Sequence, residues 1–337
     1  MLKKYLFKNF SSSFFPIFFT LFSITSIVYL VKIASLTSVI QLNILELLLL
    51  YIYTIPKILF FVLPISYFVG LVMTFSKLSG EYELLVISSF GKNPISILKY
   101  FLPLTLVLSF CLLVISEISI PKASFLNSKF IYTKKNEAQF NIKASQFGQE
   151  FGPWLIFIKD ETKDKKLIDV KLLSKDGINK KFIIASTANM ENINGNLNLS
   201  LNKGKSFLIN DSLEQINYEK MILLDNKEQH SYSNFTNIID YWEDLTTNKS
   251  KAEDFVFNIL VSIFPLISLL FIVIFGYFNP RYEKNKTTLY SSLLILLFFI
   301  LSKQLIALNP FLILIAMPIF WVLISYIIYT KTIKKKY

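Results

Sequence analysis

Residues Lys77–Lys99 read KLSGEYELLVISSFGKNPISILK, the only polar passage between two long apolar runs, 56–76 and 96–118. The passage is too short to be a domain, and its pattern predicts a short helix over 80–91. Glu81 and Glu83 fall in the first turn, where carboxylates suit the positive end of the helix dipole. Leu84, Leu85, Val86, Ile87 and Phe90 supply an apolar flank. Gly91 offers a left-handed C-terminal cap, and Pro94 comes soon enough after it to stop continuation. A helix held between two membrane spans can carry force, because a partner that grips it moves both.

Composition agrees with a membrane setting. Of the 337 residues 53% are apolar and 33 are Phe, which places the chain among polytopic membrane proteins rather than soluble domains. Cys111 is the only cysteine, so an internal disulfide and a multi-cysteine metal site are both excluded. His230 is the only histidine, which excludes two-histidine chemistry such as the zinc motif HExxH. The net charge of +12 comes from lysines gathered at the ends of apolar runs, where anionic lipid explains them better than nucleic acid. No cofactor and no metal are expected.

Outward from the opening stretch, the apolar runs resolve into spans. Lys3, Lys4 and Lys8 precede a run from Phe14 to Val31 that is long enough for the bilayer's ~30 Å core and lacks a small-residue cleavage site. It reads as a retained first span. Asn43 and Glu46 form a helix-start signature, and Pro56 divides the long apolar stretch after them into a lead-in over 44–54 and a second span over 56–76. The third span is 96–118. Near the other end, 255–277, 288–307 and 311–330 make three more, with Asn279–Lys286 joining the fourth to the fifth and Asn309-Pro310 turning into the sixth.

Between the two sets the period changes. Leu197, Leu199 and Leu201 alternate with Asn198, Ser200 and Asn202, the pattern of a half-buried strand. Runs at 154–159, 167–173, 181–186, 205–209 and 213–224 read similarly, with turn signals at Asp176-Gly177 and Asn194-Gly195. The expectation is an α-helical membrane protein with six transmembrane helices and an inserted all-β, jelly-roll-like domain. Its parts are 1–120, 121–253 and 254–337. The N-terminus, the 77–99 loop, the 279–286 loop and the Lys334-Lys335-Lys336 tail all carry Lys or Arg and fall on one side in a six-span count. The positive-inside rule makes that side cytoplasmic and puts the β domain outside the membrane on the other side.

Several local patterns, taken in order, resemble the LptF/LptG permeases of lipopolysaccharide export. Pro64-Ile65-Ser66-Tyr67-Phe68-Val69-Gly70-Leu71-Val72-Met73-Thr74, followed by Lys77-Leu78, is similar to the family's second span. Glu83-Leu84-Leu85-Val86-Ile87 leading to Gly91 resembles its coupling helix, and Asn279-Pro280-Arg281 the loop between spans four and five. Ile184-Ala185-Ser186, with Leu199-Ser200-Leu201-Asn202-Lys203-Gly204, resembles its β-domain signature. The second span looks more like LptF than LptG.

The resemblance implies half of a heterodimer in the bacterial inner membrane, with both termini cytoplasmic and the β domain periplasmic. It also implies a homologous LptG-type subunit, an LptB-type ATPase dimer below, an LptC-type bridge protein and lipopolysaccharide as cargo. The chain itself would be no enzyme, and it has no GxxxxGK[ST] loop to cradle phosphates. Glu83 would meet a basic group of the ATPase, with Leu84, Ile87, Phe90 and Gly91 completing the coupling element. The plain alternative for Glu83 is a helix-start carboxylate worth about 0.3–1 kcal/mol.

Three lysines form a second candidate set. At ~1.5 Å per residue, Lys32 lies ~27 Å from the start of span one, Lys57 ~28 Å from the inner end of span two and Lys303 ~22 Å into span five. All three therefore reach the outer-leaflet level, where a phosphorylated lipid would supply their counter-charge. Lys57 and Lys303 are read equally well as side chains snorkelling to the interface. Lys32 also matches the family's basic position after span one, which makes it the first choice for a headgroup contact. Pro56, Pro64 and Gly70 are either hinges or the ordinary Pro and Gly of membrane helices.

An intramembrane enzyme is the poorest reading, since there is no GxSxG, no HExxH and no pair of aspartates within the spans. A non-transporting anchor whose β domain scaffolds envelope-assembly partners explains the topology. It leaves the acidic helix and the outer lysines without a joint purpose.

Overall fold

The computed structural model describes residues 2–38, 42–137, 149–151, 154–162, 166–174, 180–193, 196–209, 213–224, 238–243, 245, 248–282 and 284–334. The expected turns at Asp176-Gly177 and Asn194-Gly195, together with His230, Glu283 and Lys335-Lys336, lie outside the described residues. The chain divides into two compact units. One takes Met1–Val28, Thr54–Ala123 and Phe235–Tyr337, and the other takes Tyr29–Tyr53 and Ser124–Asn234.

The helices, in chain order, begin with α1 (Leu2–Ala34), α2 (Ile44–Gly80), α3 (Glu83–Ser89), α4 (Pro94–Leu98) and α5 (Leu102–Val114). A π-helical turn, Ile115–Ser119, leads on into α6 (Ile120–Glu137). After the sheet come α7 (Ile238–Glu243), α8 (Lys249–Ile267), α9 (Leu269–Gly276), α10 (Thr287–Ile306) and α11 (Pro310–Thr332). Five helical stretches are long and apolar enough to cross a membrane, and α8 with α9 makes a sixth that bends by 48°. Among the described residues there are thus five crossings by length and composition, and six where the bent pair counts as one span.

Each departure from the expected spans has a local cause. Pro56 does not divide the second span: α2 runs unbroken for 37 residues, ~55 Å, through Pro56 and Pro64. A proline removes one helical hydrogen bond, and a membrane helix tolerates that when its neighbours pack around it. The α2 start is tied down as its sequence predicts, with the Asn43 amide donating to Glu46 Oε2 at 2.8 Å. Helix also continues past Pro121, because the π turn just before it already displaces the bond that proline would break. The 96–118 run is split, with α4 separate and the span opening at Leu102.

Aromatic rings tie the first unit together. Phe68 of α2 meets Phe264 of α8 at 5.4 Å, Phe264 meets Phe298 of α10 at 4.7 Å, and Phe298 meets Trp321 of α11 at 5.0 Å. The Trp321 indole N–H donates to Ser268 Oγ at 3.0 Å, so the polar atom at the α8–α9 bend has its partner inside the bundle. Gly70 is a packing point: a Cβ there would stand 3.1 Å from the Phe14 Cα of α1. Small residues at such crossings let helix backbones approach closely.

The second unit holds one antiparallel sheet of six strands in sequence order: β1 (Gln149–Phe151), β2 (Trp154–Glu161), β3 (Leu167–Ser174), β4 (Lys180–Ile193), β5 (Asn196–Ile209) and β6 (Leu213–Leu224). The runs expected at 197–201 and 205–209 are one strand, β5, which passes straight through Lys203-Gly204. Asp169 and Lys203 both sit in the left-handed region, at φ 52° and 49°. With Ser186 between them they form a row across β3, β4 and β5 where the pleat is interrupted. On one side of that row Val170 and Ala185 point inward, and on the other Leu167, Ala188 and Leu201 do. Inward positions are therefore three apart instead of two, and the sheet bends there.

The two pieces of the β-domain signature meet at this crease. Ala185 faces Gly204, and Ser186 Oγ donates to the Lys203 carbonyl at 2.9 Å. The Tyr218 hydroxyl crosses Gly204 to donate to the Ile184 carbonyl at 2.9 Å. Burial pushes that phenol up to about 12, so it stays a donor at neutral pH. Asn198 and Ser200 of β5 are buried along with Leu199 and Leu201, so this segment is covered on both faces and is not the half-buried strand expected.

Candidate functional site

Four polar passages converge at one end of the first unit. The α2 end and the linker after α9 are pinned together: Ser79 Oγ donates to the Gly276 carbonyl at 2.8 Å, and Asn285 Nδ2 and Thr287 Oγ1 reach Ser76 Oγ at 3.0 and 3.1 Å. The last turns of α11 join through Tyr329, whose hydroxyl donates to Asn93 Oδ1 at 3.5 Å. The foot of α1 joins through Tyr5. The N-terminal residues, the 77–99 passage, the 279–286 loop and the C-terminal helix therefore share one end of the bundle.

At the middle of that end is α3. Gly80 closes α2, and Tyr82, at φ 61°, turns the chain so that α3 starts at Glu83; Glu81 precedes the helix. Gly91, at φ 79°, takes the left-handed cap position, and its amide donates to the Ser88 carbonyl at 2.9 Å. Pro94 opens α4, whose first turn is capped by the Asn93 side chain. The short helix is fastened by its inner face: Leu84 is fully buried in the bundle core and Ile87 packs against that core. Phe90 is 83% exposed and Val86 53% exposed, so these two, not Leu84, present an apolar surface. The Glu83 carboxylate accepts the Tyr5 O–H, which lies 2.7 Å from one oxygen and 2.6 Å from the other.

The three lysines fall in both units. Lys57, Lys303 and Asp254 of α8 all belong to the first unit. Lys32 belongs to the other unit, exposed in the last turn of α1.

Local sequence did not single out Tyr5 or Asp254, nor Glu117, the single acidic residue in the run from 102 to 121. Glu117 sits in the π turn. Its Oε1 accepts from Ser116 at 3.0 Å and its carbonyl from the Trp242 indole at 3.1 Å, while buried Oε2 has no hydrogen-bond partner among the described residues. A lone carboxylate in an apolar run was the available signal for Glu117. For Tyr5 there was none, since its partner is 78 residues away.

A bundle of five to six apolar spans, interrupted by an antiparallel sheet and carrying a short helix between the second and third, defines a polytopic membrane protein with an inserted β domain. The model of the family described as lipopolysaccharide export system permease LptF/LptG matches residues 4–331, and the chain belongs to that family. No curated protein sequence matches the chain.

Proposed function

We propose that the chain is the permease subunit of an ATP-driven transporter that lifts lipopolysaccharide out of the outer leaflet of the inner membrane. In this reading it pairs with a homologous LptG-type subunit, hydrolyses no ATP itself and docks a separate ATPase dimer on α3. The end carrying α3 then faces the cytoplasm, and the sheet lies in the periplasm. The observation that carries the reading is the presentation of α3: anchored by Leu84, it turns Val86 and Phe90 outward beside an anionic Glu83. An exposed Phe next to a carboxylate suits a groove with an apolar floor and a basic rim.

Two further features support it. Lys32, exposed at the far end of α1 from Tyr5, is available to the phosphates of a lipid headgroup. Strand β6, twelve residues long and last in the sheet, offers an edge on which a bridge protein adds a strand. Glu83→Lys, assayed in proteoliposomes with the partner subunit and ATPase, is expected to cut lipopolysaccharide-stimulated ATP turnover at least about tenfold, the cost of ~1.4 kcal/mol of coupling. The permease pair should still assemble. A charge-reversed protein that retains the ATPase and transports at the wild-type rate overturns the role of Glu83.

A further inference from the structure

The foot of α1 is tied to α3 by one hydroxyl. Tyr5 Oη stands 2.7 and 2.6 Å from the two Glu83 oxygens, so its single proton is shared by both. Such lengths belong to a charge-assisted O–H···O⁻ bond, the stronger kind. A carboxylate has about four acceptor directions, and one phenol uses few of them, so Glu83 keeps lone pairs for a basic partner.

Around this bond the foot of α1 is packed into the bundle, and Ser26 and Ile33 are buried further along. Leu6 and Phe10 are buried in the bundle core, Phe10 packs on Tyr67 and Phe101 with ring centroids 5.4 and 5.6 Å apart, and Phe14 touches Gly70. Further along, Phe15, Phe19, Ile24, Ile27 and Val28 are exposed. The helix is thus clamped at its foot, while these five side chains leave a face of its middle uncovered.

We infer that Tyr5 is a positioning residue that makes α1 a third span driven by α3, the Tyr5–Glu83 bond passing the displacement of the docked helix to the foot of α1. Chain connectivity links α3 to α2 and α5 alone. The phenol adds a span to which α3 is not joined in sequence, and one that ends at Lys32. The inference rests on the docking of an ATPase at α3 proposed above, and its test separates the two.

The test uses the full complex of both permease subunits and ATPase in lipopolysaccharide-containing proteoliposomes. Tyr5→Phe removes the hydroxyl and keeps the ring. Two reporter cysteines are placed singly in a Cys111→Ala background, one at Val28 in α1 and one at Ile52 in α2, and their labelling by a membrane-impermeant maleimide is compared before and after vanadate trapping. Tyr5→Phe is expected to keep the ATPase in the complex, to lower lipid released per ATP about fivefold and to abolish the nucleotide-dependent change at position 28 while that at position 52 remains.

A Tyr5→Phe complex with the wild-type transport ratio and the wild-type response at position 28 overturns the inference, and Glu83→Lys still decides the docking reading. Loss of the ATPase from Tyr5→Phe also overturns it, since the hydroxyl would then serve docking and not transmission.

Discussion

At Gly204 the backbone has no room for a side chain: a Cβ would run into the Ile184 carbonyl and the Tyr218 hydroxyl, the two ends of one hydrogen bond. Gly204→Ala must push the phenol away or spread β4 from β5. Overpacking of this kind costs about 1–3 kcal/mol. The variant is expected to lower the unfolding temperature of the β unit by several degrees and to raise its trypsin sensitivity, as read by limited proteolysis of the intact protein. Gly204 was legible as part of a motif, but its reason was not, because the phenol that occupies its space arrives from another strand. The same holds for Tyr5: nothing in LKKYLFKNF marks that tyrosine as the partner of Glu83. Gly91 differs, since its left-handed cap depends on neighbours within one turn, and local sequence was enough.

Elements read from periodicity stand where the period is set locally and shift where packing overrides it. The α2 start follows the Asn43–Glu46 signature, yet α2 runs through Pro56 because surrounding helices hold it in register. Strand β5 looked like two strands because a left-handed Lys203 breaks the alternation without breaking the strand. Between elements, a very close approach occurs at the end of α9, where a Cβ on Gly276 would collide with the Phe75 Cβ of α2 and stand 3.0 Å from the Val72 carbonyl. Gly276→Ala should force the helices apart and loosen the Ser79–Gly276 bond. A drop of several degrees in the melting temperature of the detergent-solubilised protein is expected, with Gly80→Ala, which meets no neighbour, as the neutral control.

Over the whole molecule, the proposed function couples an acidic helix at one end of the bundle to a basic headgroup contact at the end of α1. It makes position 32 the place where cargo is first met. A photo-crosslinking residue substituted for Lys32 in cells is expected to give a lipopolysaccharide adduct on irradiation; none at 32, with adducts at neighbouring positions, would remove Lys32 from the contact. The sequence by itself determined the apolar runs on either side of the insertion, the insertion of a β unit, the short helix after the second run and the family. Those rest on hydropathy, period and turn residues, all of which act over a few neighbours along the chain. Only the tertiary structure decided that Tyr5 holds Glu83, that Leu84 faces inward, and that the pleat breaks along one row of the sheet. Each of these depends on residues brought together from distant parts of the chain, where side-chain volume and hydrogen-bond geometry, not local propensity, set the outcome.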